Sequence, residues 1–310
     1  MIWQYFAPLS QSCAGARGLR DDGACLTPPL GQEIVITTDG NIGGVHFPLN
    51  APPWVMAHRS LAVNLSDLAA MGARPWVYSL SLSAPASFFS EQVLAPFCQT
   101  LGQMQQDYGI VLSGGDTTVY HGPPHIHITA LGLVPKGQAL HRDGAQDGDD
   151  VYVSGRIGDG GRGLRLWQAG QRDGQDPDLR AYLAPTPRLS LGQGLRGLAS
   201  ACMDISDGFL GDLQHLCHAS RVTAHVHVED IPLNPHLPWQ DAIGCGDDYE
   251  LLFTAPPHHR QTLVRLGAEL NVTLTRLGYI KASYDEPLDS VVLKWGGCPV
   301  TVASPSFRHF

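Results

Sequence analysis

The sequence predicts a two-domain protein of the α/β or α+β class, with domains of similar size. Three observations carry that expectation. The chain has 310 residues, enough for two ordinary domains. Strand-like and helix-like periodicities alternate along it. A Gly- and Asp-rich stretch, residues 137–150, interrupts them and is the best candidate for a junction.

The elements follow in order. Residues 34–38 (Ile-Val-Ile-Thr-Thr) are β-branched throughout and predict a buried strand. Residues 56–71 predict a helix, because Leu61, Leu65 and Leu68 fall at i, i+4 and i+7 and make one apolar stripe. Gly72 and Pro75 close it. Residues 78–83 alternate polar and apolar, the pattern of a half-buried strand. Residues 87–108 predict a second long helix, interrupted or restarted near Pro96 and stopped at Gly109. Residues 110–112 form a short strand and 125–134 a longer one, with His125, His127 and Thr129 on one face and Ile126, Ile128 and Ala130 on the other.

Beyond the junction, residues 151–153 predict a strand and 163–169 the start of a helix. Residues 188–200 and 209–219 predict two more helices, the second with Leu210, Leu213 and Cys217 inward. Residues 221–228 alternate as a strand, and 250–254 read as a buried one. The last ~50 residues add a helix and two or three strands.

Composition narrows the function. Apolar content of 43% and charged content of 16% describe an ordinary globular chain. The net charge is −9, and the lysines are Lys136, Lys281 and Lys294 alone, which argues against a nucleic-acid partner. The seven cysteines are isolated and form no C-x-x-C pair, as in a reduced, cytoplasmic chain. Residues 1–9 lack the basic flank of a signal peptide, and no run of about 18 apolar residues occurs, so no membrane association is expected.

The chemistry lies in the aspartates. Asp39 follows the strand at 34–38, and Asp116 follows the short strand in Ser-Gly-Gly-Asp-Thr-Thr. Asp204 and Asp207 stand between a short strand and a helix start. Asp247 and Asp248 precede the strand at 250–254, and Asp21 and Asp22 form a further pair. Asp67 lies in the helix, off the leucine stripe, on the face of Ser60 and Asn64. Carboxylates that end strands converge on one rim of a sheet, and Mg²⁺ binds through one or two carboxylates plus substrate phosphates. The glycines beside Asp116 and Asp247 allow close approach of backbone to phosphate. Taken singly, a strand-end aspartate is more often a turn or cap residue, and Asp204 and Asp207 also fit as caps of the next helix. Spacing alone supports a divalent-metal site as one alternative.

Other signals are weaker. Residues 155–161, Gly-Arg-Ile-Gly-Asp-Gly-Gly, follow a strand and precede a helix, so they fit either a phosphate cradle or a purely structural turn. They lack the ending of a P-loop. The pairs His125/His127, His225/His227 and His258/His259 show no zinc spacing.

Several motifs together resemble the thiamine-monophosphate kinase family. They are Thr37-Thr38-Asp39 with Gly44-Val45-His46-Phe47, and the block from Leu61 through Asn64 and Asp67 to Ala73. To these add Gly114-Gly115-Asp116-Thr117-Thr118, Asp204-Ile205-Ser206-Asp207-Gly208 and Gly246-Asp247-Asp248-Tyr249-Glu250. Order and spacing agree from about Asp21 to His309-Phe310. The shorter motifs are shared with a superfamily that includes aminoimidazole-ribonucleotide synthetase, selenophosphate synthetase and a hydrogenase-maturation factor.

The resemblance implies a two-domain aminoimidazole-ribonucleotide-synthetase-like fold. Residues 1–137 would form an ATP- and metal-binding domain that dimerises with its copy, and 138–310 an α/β domain closing the active-site cleft. It implies direct in-line phosphoryl transfer from ATP to thiamine monophosphate, giving thiamine diphosphate and ADP. Asp22, Thr37, Thr38, Asp39, Asp67, Asp116, Asp204 and Asp207 would hold several Mg²⁺ ions. Gly115, Asp116, Arg142 and Ser206 would contact ATP, and His46 and Asp247 the thiamine monophosphate. Metal-assisted transfer would leave no separate catalytic side chain.

Three departures stand against the family pattern. Arg20 replaces a glycine before Asp21-Asp22-Gly23. Asp247 replaces a glutamate. An aromatic near the C-terminus aligns with Ser304, which leaves Trp295 and Phe307 as alternatives for stacking on the substrate. On sequence alone two rivals stay open: a superfamily member with another substrate, and a non-catalytic nucleotide-binding homologue.

Overall fold

Strand-forming segments assemble two separate sheets, of four and seven strands. The computed structural model describes residues 1–282 and 291–302. The chain divides into one unit of Met1–Leu68 with Ala73–Gly137, and a second of Ala69–Gly72 with Gln138–Phe310. Among the described residues, no helix is long and apolar enough to cross a membrane, and all seven cysteines are unpaired.

The first unit contains β1 (Gln32–Ile42), α1 (Pro53–Ala70), β2 (Arg74–Ala84), α2 (Glu91–Tyr108), β3 (Val111–Val119) and β4 (His125–Pro135). The sheet order is β1-β4-β2-β3. β4 runs antiparallel to both β1 and β2, and β2 runs parallel to β3. Leu61, Leu65 and Leu68 of α1 are fully buried, as their spacing predicts. Gly72 takes the left-handed conformation that closes the helix. Gly132 of β4 has no room for a side chain because Leu68 and Ala73 lie against it. Pro96 sits inside α2 without ending it, and Gly109 caps that helix in the left-handed region.

Two sequence expectations need correction here. The strand at 34–38 is not buried on both faces: Ile34 and Ile36 are exposed while Val35 is buried. β1 is an edge strand, and β-branched residues suit a strand whether one or two faces are covered. The strands also run further than expected. Asp39 pairs in register with Ile128, and Asp116 with Ser81, so both aspartates lie inside ladders rather than after them. Ladder hydrogen bonds come from the backbone, so polar side chains continue a strand where one face is open.

The N-terminal residues form only short turns, Ile2–Phe6, Ala7–Ser10 and Ala14–Ala16. Cys13 and Ala16 pack there on Val77, with Leu19, Trp76 and Val111 around them.

The second unit contains β5 (Asp150–Ser154), α3 (Asp159–Gln168), α4 (Pro177–Leu183), α5 (Leu189–Leu195), β6 (Ala201–Asp204), α6 (Phe209–Ser220), β7 (Val222–His227), α7 (Trp239–Ala242), β8 (Leu251–Ala255), α8 (Arg260–Leu270), β9 (Leu274–Ala282), β10 (Val291–Trp295) and β11 (Cys298–Val300). The order is β11-β10-β7-β9-β5-β8-β6. β8 is buried along its whole length between β5 and β6, which accounts for its mainly apolar sequence, Thr254 excepted. Val151, Val153, Met203, Phe209, Leu213, Leu252, Leu277 and Ile280 belong to one core.

The helix expected at 188–200 is shorter, ending at Leu195, because Gly197 takes a positive φ. α4 went unread in the sequence. It starts with Asp176 accepting the Asp178 and Leu179 N–H groups, with Pro177 in the first turn.

Candidate active site

Strand alternation sorts the Thr-Thr-Asp motif of β1. Thr37 and Asp39 share one face, and Thr38 lies on the other. On the first face, Thr37 Oγ1 donates a short hydrogen bond to Asp67 Oδ2 of α1. Asp39 lies beside the same carboxylate. Burial first, and the neighbouring Asp67 second, raise the Asp39 carboxyl to about 7. Ser60 and Asn64 sit on the Asp67 side of α1 and are fully buried. Asn64 Nδ2 donates to the Ser60 carbonyl at 3.0 Å. Among the described residues, Ser60 Oγ and Asn64 Oδ1 have no hydrogen-bond partner.

On the other face, Thr38 Oγ1 meets His127 Nε2 at 2.9 Å, Thr129 Oγ1 at 2.9 Å and the Ile128 carbonyl at 3.2 Å. Asp116 is exposed on β3 and accepts from Thr118 Oγ1 at 3.2 Å. A side chain on Gly115 would bring its Cβ within 1.8 Å of the Leu80 carbonyl oxygen, so only glycine fits that ladder position. His46 follows in a tight bend, where its Nδ1 accepts the Ile42 N–H at 3.1 Å. The proton of the neutral ring therefore resides on Nε2. Asp21 and Asp22 are exposed, and Asp21 pairs with Arg17 at 3.3 Å.

The second unit presents two loops that are laced together. Asp204 ends β6 and is buried, Ser206 is exposed and Asp207 is half-buried. The Ser206, Asp207 and Gly208 N–H groups all donate to Asp212 Oδ2 of α6, each at 3.1 Å. Burial first, then the nearby Asp207, holds the Asp212 carboxyl up at about 7 against the pull of those three donors. The neighbouring loop docks by backbone bonds: Asp247 N–H to the Ser206 carbonyl at 2.9 Å, Tyr249 N–H to Ile205 at 2.8 Å, and Ile205 N–H to Glu250 at 2.9 Å. A Cβ on Gly246 would lie 2.2 Å from the Ser206 carbonyl oxygen.

The Gly155–Gly161 loop resolves toward structure. Asp248 accepts the Gly158 N–H at 2.8 Å and the Gly160 N–H at 3.0 Å, so the chain's own carboxylate sits at the start of α3. Glycine is needed at 160 and 161 because a Cβ would meet the Asp247 carbonyl oxygen at 2.2 Å or Cys245 Sγ at 2.3 Å. Glu250 accepts from Ser154 Oγ and Arg188 Nε, the latter at 2.7 Å.

The Arg142 side chain is exposed, and its carbonyl accepts Ser220 Oγ at 2.9 Å. Trp295 stacks on Trp239 with centroids 5.4 Å apart. Ser304, Phe307, His309 and Phe310 lie outside the described residues.

Of the residues singled out in the sequence, the first unit thus joins Thr37, Asp39 and Asp67, and the second joins Asp207 and Ser206 through Asp212. Thr38, Asp116 and Asp22 stand apart from the Asp39–Asp67 pair. Sequence reasoning missed Asp212, Tyr249 and Glu250. Asp212 carried a usable signal, since an acidic residue in the first turn of a helix accepts orphan N–H groups.

Among the described residues, no three His, Cys, Asp or Glu side chains gather into a metal-binding group. The donor chemistry still suits Mg²⁺. That ion takes hard oxygen ligands, often only one or two carboxylates from protein and the rest from phosphate and water. A carboxylate pair beside a hydroxyl and unpartnered buried oxygens provides that kind of donor set.

Comparison with known proteins identifies the family. The family model for AIR synthase related protein, N-terminal domain, matches residues 20–134, and that for the C-terminal domain matches residues 146–288. The chain is 37% identical over 325 residues to the thiamine-monophosphate kinase of Salmonella typhimurium, covering 100% of this chain and 97% of the relative. The crystal structure of thiamine-monophosphate kinase from Stenotrophomonas maltophilia superposes with a TM-score of 0.81 at 40% identity, covering 91% of each chain. A structure of AaThiL complexed with AMPPCP and TMP matches with a TM-score of 0.78 at 26% identity, covering 94% of this chain and 91% of that one.

Proposed function

The chain belongs to the thiamine-monophosphate kinase family, and on that footing we propose that it transfers the terminal phosphoryl group of ATP to thiamine monophosphate, yielding thiamine diphosphate and ADP. The structural observation that supports this most is the half-buried Asp39–Asp67 pair with Thr37. Two carboxylates held together in a protected place suit a cation that accompanies a polyphosphate.

The acceptor is itself a phosphate. Its second pKa is about 6, so at neutral pH its oxygen is already largely anionic and needs no strong general base. The work left to the protein is alignment and charge neutralisation. Bound Mg²⁺ would offset the charge on the reacting phosphates. Asp39 and Asp67 would hold it, with Thr37 fixing the Asp67 carboxylate by its hydrogen bond. Asp22, Thr38 and Asp116 of the first unit, and separately Asp204 and Asp207 of the second, are proposed as ligands of further ions. Gly115, Arg142 and Ser206 would contact ATP. His46 would donate from Nε2 to the substrate, its Nδ1 being engaged by Ile42. Asp247 would take the substrate's cationic thiazolium or amino group, since a carboxylate repels phosphate.

The assembly proposed is a homodimer formed through the open face of the first sheet, where Ile34 and Ile36 are exposed on β1. Sedimentation of the full chain tests it, and a monomer at micromolar concentration would overturn it. The activity is tested by incubating the protein with ATP, Mg²⁺ and thiamine monophosphate and measuring thiamine diphosphate. Thiamine without its phosphate serves as the control. Absence of product from folded protein would overturn the assignment.

A further inference from the structure

The loop that carries Asp247 holds an uncommon backbone. Asp247 has φ 71° and Tyr249 φ 51°, so two non-glycine residues out of three adopt the left-handed conformation. A side chain pays about 1–2 kcal/mol there, less for aspartate, and a tyrosine has no local compensation. The surroundings impose the shape. Asp248 between them is tied to Gly158 and Gly160 of another segment. Asp247 and Tyr249 both donate their N–H groups into the 205–206 backbone. The result points the Tyr249 hydroxyl at its neighbour: Oη lies 3.0 Å from Asp247 Oδ1. Tyr249 itself is largely buried, at 9% exposure.

We propose that Tyr249 is a positioning residue that sets the Asp247 carboxylate for the thiamine end of the substrate. This rests on the assignment of thiamine monophosphate as substrate and of Asp247 as its contact. Aspartate has two side-chain torsions, of which the last is broad and weakly fixed. A hydroxyl donated to one carboxylate oxygen fixes the carboxylate plane. The Asp247 carboxylate lies within reach of the hydroxyl two residues on.

The test is Tyr249→Phe, which keeps the ring and removes the hydroxyl. The KM for thiamine monophosphate is expected to rise about tenfold, the loss of one hydrogen bond to a charged group. The KM for ATP and the melting temperature should stay near those of the parent. Placed on an Asp247→Ala background, the same change should have no further effect on KM. A merely structural role would move both KM values and the melting temperature together. That pattern, an unchanged KM for thiamine monophosphate, or full additivity of the two substitutions would overturn the inference. Parent protein without turnover would instead overturn the assignment of function, so the two failures are distinct.

Discussion

The two units treat their aspartates in opposite ways. In the first, burial and then the neighbouring carboxylate of Asp67 raise the Asp39 pKa to about 7. In the second, Asp212 and Asp248 meet backbone N–H groups, three for one and two for the other. A carboxylate against a carboxylate is an arrangement that costs stability until a cation joins it. A carboxylate in a ring of N–H donors has its acceptor sites filled by backbone and acts as a staple for the loop, although burial still raises the Asp212 carboxyl to about 7. The same residue type thus forms a carboxylate pair in one place and a loop staple in the other. Only the partners distinguish them.

That contrast can be broken by substitution. The largest effect is expected at Asp39. Asp39→Ala should reduce turnover by about a thousandfold or more, the scale of losing a metal-assisted charge clamp. It should leave the protein folded, and in metal-free buffer the melting temperature should rise, because a like-charge contact is relieved. A fall in melting temperature there would show that Asp39 is scaffold after all. Asp212→Ala should do the reverse, lowering stability by about 2–5 kcal/mol as three backbone N–H groups lose their buried acceptor. Urea unfolding measures this, and a loss under about 1 kcal/mol would remove Asp212 from the scaffold class.

A pH titration sharpens the same comparison. Asp39 and Asp212 both have folded-state pKa values raised to about 7, above the unfolded value near 4. The folded protein therefore binds more protons than the unfolded chain between pH ~4 and ~7. Their contribution to stability is greatest below that window and declines as pH rises through 7. In Asp39→Asn the decline should become shallower, and in wild type Mg²⁺ should flatten it by taking the place of the proton. Melting temperatures at pH 5 to 8, with and without Mg²⁺, decide this. A decline that ignores both the substitution and the ion would place it elsewhere. The smallest effect is expected at Arg20, an exposed cation beside Asp21 and Asp22. Arg20→Gly should lower the Mg²⁺ concentration for half-maximal turnover by about two- to threefold, since exposed charges are screened. A shift of tenfold would make the altered N-terminal segment a determinant of metal affinity.

Much of this was legible in the sequence, for stated reasons. The Leu61-Leu65-Leu68 spacing and the alternation of 125–134 survive intact, because periodicity reports burial directly. The motif aspartates were visible because their residue type carries chemistry wherever it stands. The limits of β1 and β3 were not, since an open sheet face lets Thr38, Asp116 and Thr118 continue a ladder that polarity appears to end. Thr37 and Thr38, adjacent in one motif, fall on opposite faces once the strand passes through them. Tyr249, and the particular partners of Asp212 beyond its first-turn position, were illegible for another reason. Their roles depend on atoms brought together by the fold, from Ser206 to Gly208 in one case and at a left-handed backbone in the other.

Asp248 at the start of α3 behaves as a resident guest. It is covalently leashed to the cradle it fills, so it competes there at an effective concentration on the order of millimolar for a loose tether and far more for a rigid one. Free phosphate from the medium cannot evict such an occupant. A glycine-rich turn that a motif search would flag for nucleotide phosphates is thereby closed to them from within.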